Sequence, residues 1–107
     1  MSAPPQIPSV FGIEHRRTGT TVHLLVSGGL DLCTASLLRA AHVRVEPACE
    51  VLVLDLSAVT FLDSSGLHAL IDICDGDAPR VRIILSRAAA RIIDICGLRP
   101  RLPIVEG

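Results

Sequence analysis

Val51-Leu-Val-Leu-Asp55-Leu-Ser-Ala-Val-Thr60-Phe-Leu-Asp63-Ser64-Ser65-Gly66-Leu67 is the stretch that decides how this chain folds. It opens as an unbroken run of Val and Leu, the pattern of a strand buried on both faces. Asp55 and a short polar link then lead to Asp-Ser-Ser-Gly. Beyond that the period changes. Leu67, Leu70, Ile71 and Cys74 recur at i, i+3, i+4 and i+7, which predicts a helix from Ser65 to about Cys74 with one buried stripe. Asp63, Ser64 and Ser65 stand where that helix starts, because short oxygen-bearing side chains accept its free N–H groups. A hydroxyl beside a carboxylate is thus presented at the end of a central strand. It is exposed, and it lies in the positive field of a helix terminus that can carry an anion. Taken locally, Ser64 and Ser65 also read as ordinary helix caps.

Downstream, Asp75-Gly76-Asp77-Ala78-Pro79 is a stop signal. Val81, Ile83, Ile84 and Leu85 predict a short apolar strand, and Ser86 caps a helix carrying Ala89, Ile92, Ile93 and Cys96, ended by Gly97. Ile104-Val105 is a last, short strand candidate. Upstream, residues 45–50 form a link containing Pro47. Before it comes a helix with the stripe Leu37, Leu38 and Ala41, capped by Asp31 or Thr34. Thr21 to Val26 is β-branched and apolar, a strand that Ser27-Gly28-Gly29 is expected to break. Arg17-Thr18-Gly19-Thr20 suits a hairpin turn after a first strand from Val10 to Arg16. The proline-rich residues 1–9 read as a flexible tail, and residues 10–107 as one domain.

From Val51 onward the order is strand, helix, strand, helix, strand, which implies parallel strands joined by right-handed crossovers. The first two strands add an antiparallel hairpin. The expected fold class is therefore α/β, a mixed sheet with helices packed mainly on one side.

The chain has 107 residues, half of them hydrophobic, and its only aromatics are Phe11 and Phe61, so the core must be aliphatic. No apolar run reaches the roughly 18 residues of a membrane helix. The N-terminus has neither the basic start nor the apolar centre of a signal peptide, so a cytoplasmic location is the expectation. Cys33, Cys49, Cys74 and Cys96 show no C-x-x-C or zinc-finger spacing, and Cys74 and Cys96 fall on apolar helix stripes as small core residues. Neither a metal, a cofactor nor a disulfide is expected. The net charge of -1 argues against nucleic acid as a direct partner. Glu46, Glu50, Asp55, Asp63, Asp72, Asp75 and Asp77 occupy the middle with no basic residue among them, while Arg80, Arg82, Arg87, Arg91, Arg99 and Arg101 follow. An acidic segment of this kind suits a basic protein partner.

This layout resembles the STAS domain of anti-sigma factor antagonists, over nearly the whole chain from about Val10 to Val105. Phe61-Leu62-Asp63-Ser64-Ser65-Gly66-Leu67 is similar to that family's phosphorylation motif. Gly28-Gly29-Leu30-Asp31-Leu32-Cys33-Thr34-Ala35 resembles its Gly-Glu-Leu-Asp-x-x-Thr/Ala turn into the first helix. The resemblance implies that Ser64, with Ser65 as second choice, accepts phosphate from an anti-sigma factor that is an ATP-using serine kinase. The unphosphorylated antagonist would bind that kinase and release the sigma factor, and a Mn/Mg-dependent phosphatase of the PP2C type would reset it. The ATP belongs to the partner. Asp31, Asp63, Ser64, Ser65, Gly66 and His68 are the partner-binding candidates.

Three departures from the family pattern stand out. Gly29 replaces the usual glutamate, His68 stands where glycine often follows Gly-Leu, and the family's final helix is missing before Gly107. Apolar surface left bare by that missing helix suggests a homodimer or a covering partner. Two other readings stay open. One is a STAS scaffold that does not switch, in a signalling or transporter-associated complex. The other is a hydrolase using Ser64 or Ser65 as nucleophile with His68 as base. That second reading lacks the Gly-x-Ser-x-Gly frame, and a fluorophosphonate probe would test it.

Overall fold

In the computed structural model, which describes residues 11–105, the chain forms β1 (Gly12–Thr18), β2 (Thr21–Leu30), α1 (Leu32–Val43), β3 (Val51–Leu62), α2 (Ser64–Asp77), β4 (Val81–Leu85) and α3 (Arg87–Ile95). A single 3-10 turn, Arg99–Arg101, follows. The sheet order is β1-β2-β3-β4; β1 and β2 are antiparallel, while β2, β3 and β4 run parallel. This is the expected α/β architecture, with β3 held between two neighbours.

Period-2 burial explains how the layers close. Val22, Leu24, Val26 and Leu30 of β2 are buried, while Thr21, His23, Leu25 and Ser27 stay half-buried on the other face. Leu52, Leu54 and Leu56 of β3 join Leu38 of α1, Leu70 and Ile73 of α2, and Ala89 and Ile93 of α3 in one aliphatic core. Neither phenylalanine is fully buried.

Several local expectations are corrected by long-range pairing. The first strand ends at Thr18 rather than Arg16, because Thr18 pairs with Thr21 and leaves a two-residue turn with Gly19 at φ +62°. The part of that strand assigned to Val10, and the tail at 1–9, lie outside the described residues. β2 does not break at Ser27-Gly28-Gly29 but runs on to Leu30, with Gly28 at φ +90°. Likewise the polar link after Asp55 is strand. The register advances two residues in β2 but three in β3 between the pairs Leu25/Asp55 and Ser27/Ala58, and β3 again gains one between Gly28/Val59 and Gly29/Phe61. These are bulges, which bend a strand and re-aim its side chains. They put Ser57, Ala58, Thr60 and Phe61 outward while Val59 and Leu62 stay inside.

The helices are corrected in the same way. α2 starts at Ser64 and passes through Asp75-Gly76 to Asp77; Pro79 disfavours helical geometry in the residue before it, so the stop falls later than the glycine suggested. In α1 the buried residues are Ala35 and Leu38, whereas Leu37 is 53% exposed. Cys96 is the exposed C-cap of α3, and it is Cys49 that joins Cys74 in the core. Burial pushes the Cys74 thiol up to about 11. Ile104 makes only an isolated parallel bridge to Ile83, not a strand.

The acidic segment is not bare. Arg39 pairs with Asp72 at 2.7 Å, Arg101 with Asp75 at 3.6 Å, and Arg17 with Glu46. Asp77 accepts from Arg80 Nε at 2.7 Å and sits 2.7 Å from His42 Nε2, joining the ends of α1 and α2 to the base of β4. Arg80 also donates to the carbonyls of Glu46 and Cys49. Arginines from before and after the segment thus neutralise much of the acid.

Asp77 carries the first prediction. Its side chain is only 20% exposed, so Asp77→Ala should cost about 2 kcal/mol by stranding two partners, read as a lower urea midpoint at constant m. The hydrogen bond from Arg80, and after it that from His42, hold the Asp77 carboxyl below its ordinary value. Its contribution is therefore full above the unfolded carboxylate range, about pH 4, and is lost as pH falls through the lowered folded value. Asp77→Asn should accordingly flatten the acid limb of the stability profile.

Candidate functional site

Two helix starts lie side by side at one end of the sheet, beyond its two inner strands. Leu30 ends β2 and Leu62 ends β3; the two are paired, and the Asp63 N–H donates to the Leu30 carbonyl at 3.1 Å. The next residue of each strand is the N-cap of its helix: Asp31 for α1 and Asp63 for α2. The Asp31 carboxylate accepts from Cys33 N–H at 2.9 Å and Thr34 N–H at 3.0 Å. Thr34 Oγ1 accepts from Asp31 N–H at 2.8 Å and donates to Gly29 C=O at 2.7 Å. Both proposed caps of α1 therefore act together, as a capping box. The bonds from Thr34 hold the Asp31 carboxyl below its ordinary value.

Asp63 settles what the serines are doing locally. Its carboxylate accepts from Ser65 N–H at 2.9 Å and Gly66 N–H at 3.0 Å, so the cap of α2 is the aspartate and not a serine. Ser64 is the first helical residue and its side chain is exposed; Ser65 is half-buried. His68 is exposed one turn further on, and neither serine hydrogen-bonds to it.

Gly66 is buried, and its role is approach. A Cβ there would lie 2.5 Å from the Leu30 carbonyl oxygen, 2.8 Å from Leu62 Cδ1 and 2.9 Å from Leu30 Cβ. The first turn of α2 is thus seated directly on the end of β2, which fixes where Ser64 emerges.

Two residues outside the predicted set belong to this end of the sheet. Phe61, turned outward by the second bulge, is 49% exposed, and its ring covers Gly29; a Cβ on Gly29 would sit 2.1 Å from the ring. Leu32, immediately after the Asp31 cap, is 75% exposed. The replacement of a glutamate by Gly29 was the readable signal, since a glycine paired with an aromatic across a sheet leaves room for the ring to lie flat. The six candidates therefore sort by depth. Ser64 and His68 are outward, Asp31, Asp63 and Ser65 half-buried, and Gly66 beneath them.

This frame, an antiparallel hairpin followed by parallel strands with paired aspartate-capped helix starts, is that of a STAS domain. The STAS domain family model matches residues 13–105, and the chain belongs to that family. Among solved structures, the chain is similar to an anti-sigma factor antagonist from Mycobacterium paratuberculosis, at 29% identity and TM-score 0.79, covering 97% of this chain and 89% of that one. It also shares the fold of the anti-sigma factor antagonist SpoIIAA in its unphosphorylated form, at 21% identity and TM-score 0.64, covering 92% and 88% of the two chains. No curated protein matches the sequence. No helix among the described residues is long and apolar enough to cross a membrane.

Proposed function

We propose that this chain is an anti-sigma factor antagonist, acting in the cytoplasm through a protein contact at the paired helix starts, with Ser64 as its phosphorylation switch. The observation that carries the reading is the division of labour at the start of α2. Asp63 supplies the cap, so the exposed hydroxyl of Ser64 has no structural task and is open to a kinase. Ser65, half-buried, is the lesser acceptor. The partner is an anti-sigma factor serine kinase that brings its own ATP, and a PP2C-type phosphatase removes the group again. Asp31, Asp63 and His68 border the contact, Gly66 sets its height, and Leu32 and Phe61 supply apolar surface at its rim. The likeness to the Mycobacterium antagonist supports this role.

Intact-mass analysis after incubation with ATP and the cognate anti-sigma factor tests it. One added phosphoryl group mapped to Ser64 is the expected result. Reversible binding with no modification would instead favour a scaffold that does not switch.

Phe61 gives a second prediction. Phe61→Ala should weaken docking about tenfold or more, as loss of a hot-spot side chain does, while lowering the urea midpoint only modestly, since the ring is half-buried against Gly29. Gly29→Ala should do the same indirectly, because the half-exposed ring must swing off the strand to admit a methyl. Titration of the partner by calorimetry, beside an unfolding curve for each variant, separates these effects.

A further inference from the structure

A phosphoryl group on Ser64 would meet a helix end whose nearest amide donors are already committed, because Asp63 holds the N–H groups of Ser65 and Gly66. A second acidic cap, Asp31, follows the paired strand end next door. The surroundings therefore supply negative charge and few open donors.

Along α2, residues four apart lie on one face, with Cβ atoms about 5–6 Å apart. His68 is four residues after Ser64, exposed, and free of any hydrogen bond or ion pair among the described residues. It is the only side chain in the first two turns of α2 that can become cationic. The other charged groups on or against this helix are engaged. Arg39 of α1 is held by Asp72, His42 of α1 by Asp77, and Asp75 faces Arg101. Within β2 and β3 the titratable side chains are His23 and Asp55, and Asp55 accepts from Ser57. An acid at i with a base at i+4 is also the favourable order along a helix.

We propose that His68 is the built-in counter-charge of phosphorylated Ser64. Its imidazolium reaches back one turn to the phosphate, which stabilises the modified form and makes that form pH-sensitive. This rests on the assignment of Ser64 as the phosphorylated residue and adds the regulation of that site. An unperturbed imidazole titrates near pH 6.5 and a phosphoserine near pH 6, so each group charges in the range where the other responds. Pairing raises the histidine midpoint and lowers that of the phosphate. The contact is complete below the raised histidine midpoint, provided the phosphate is ionised, and is lost as pH climbs through it.

The test installs phosphoserine at position 64 during translation, without any kinase, and follows the His68 ring protons and the phosphorus resonance by NMR across pH. Relative to the unmodified protein, the His68 midpoint should rise by about 0.2–0.5 unit, the upper end reflecting the near-double charge of the phosphate. In His68→Gln the phosphorus midpoint should return upward by a similar amount, and His68→Lys should restore the lowered value. A His68 midpoint identical in the two forms would overturn the pairing, and that comparison needs no variant. Because the phosphate is placed synthetically, a negative result speaks against the pairing alone, whereas an unmodified Ser64 in the kinase experiment speaks against the switch.

Discussion

Ser64→Asp is expected to lose at least a hundredfold in affinity for the anti-sigma partner, while Ser64→Ala binds as tightly as the unmodified protein. The expectation follows from where the hydroxyl sits. It is exposed on the first turn of α2, at an end of the sheet that already carries the Asp31 and Asp63 carboxylates and the apolar side chains Leu32 and Phe61. A new carboxylate there must be stripped of water on docking, and an exposed i, i+4 partner such as His68 returns only a few tenths of a kcal/mol against that cost. The penalty for an unpaired buried charge is several kcal/mol, and about 2.7 kcal/mol already makes a hundredfold change. The helix itself should not respond, because Asp63 retains both cap bonds and the positive helix end tolerates an acid. Calorimetric titration should therefore separate the two variants sharply while their unfolding curves nearly coincide. Equal affinities for Ser64→Ala and Ser64→Asp would move the switch to another residue.

A stability effect as large as that of Asp77→Ala should come from Gly66→Ala. Its methyl would press on the Leu30 carbonyl oxygen from 2.5 Å, and backbone cannot rotate aside as a side-chain tip does. The start of α2 would have to lift from β2, straining the Asp63 N–H bond to the same carbonyl. Overpacking of this kind costs about 1–3 kcal/mol and sometimes more, against which the better helix propensity of alanine returns under 1 kcal/mol. A net loss of about 2 kcal/mol is expected, together with weaker docking because Ser64 rides on that turn. Gly76 is the internal control. It lies in the last turn of α2, where an added methyl would meet nothing within 4 Å, so Gly76→Ala should be neutral or stabilise by up to about 1 kcal/mol. Urea midpoints in the reverse order would refute this account of the glycines.

The fold class was legible because two periods stand next to each other in the sequence. The buried run at Val51 and the stripe through Leu67, Leu70 and Cys74 need no tertiary information to be read as strand and helix. What escaped was whatever depends on a neighbour. Ser27-Gly28-Gly29 carries every local mark of a break, yet pairing with β3 keeps it in the sheet. The polar residues after Asp55 read as a link, since a bulge interrupts the alternation by which a strand is recognised. Cys96 keeps helical spacing with Ile92 and Ile93 but falls past the last turn that packs, and Leu37 lies one position off the stripe that Leu38 holds. The acidic run looked bare because its partners come from residues as remote as Arg17, Arg39 and Arg101.

The candidate site was half legible. Asp31, Asp63 and Ser64 were found from capping chemistry and motif, but their meeting at one end of the sheet rests on the register that sets Leu30 beside Leu62. Phe61 stands within the same motif, yet nothing local to it marks the ring as surface. Only the bulge that turns it outward, and the bare Gly29 that receives its ring, leave it as exposed aromatic surface.

The bond from Asp63 N–H to the Leu30 carbonyl also bears on timing. It ties the α2 cap to the last residue of β2, just before the α1 cap, so the two helix starts are held together in the free chain. On the proposed role, the speed of response is then set by how many unmodified copies are in circulation and how quickly they diffuse to their target. The cell would adjust the signal by changing a headcount, and each molecule would be ready from the moment it folds.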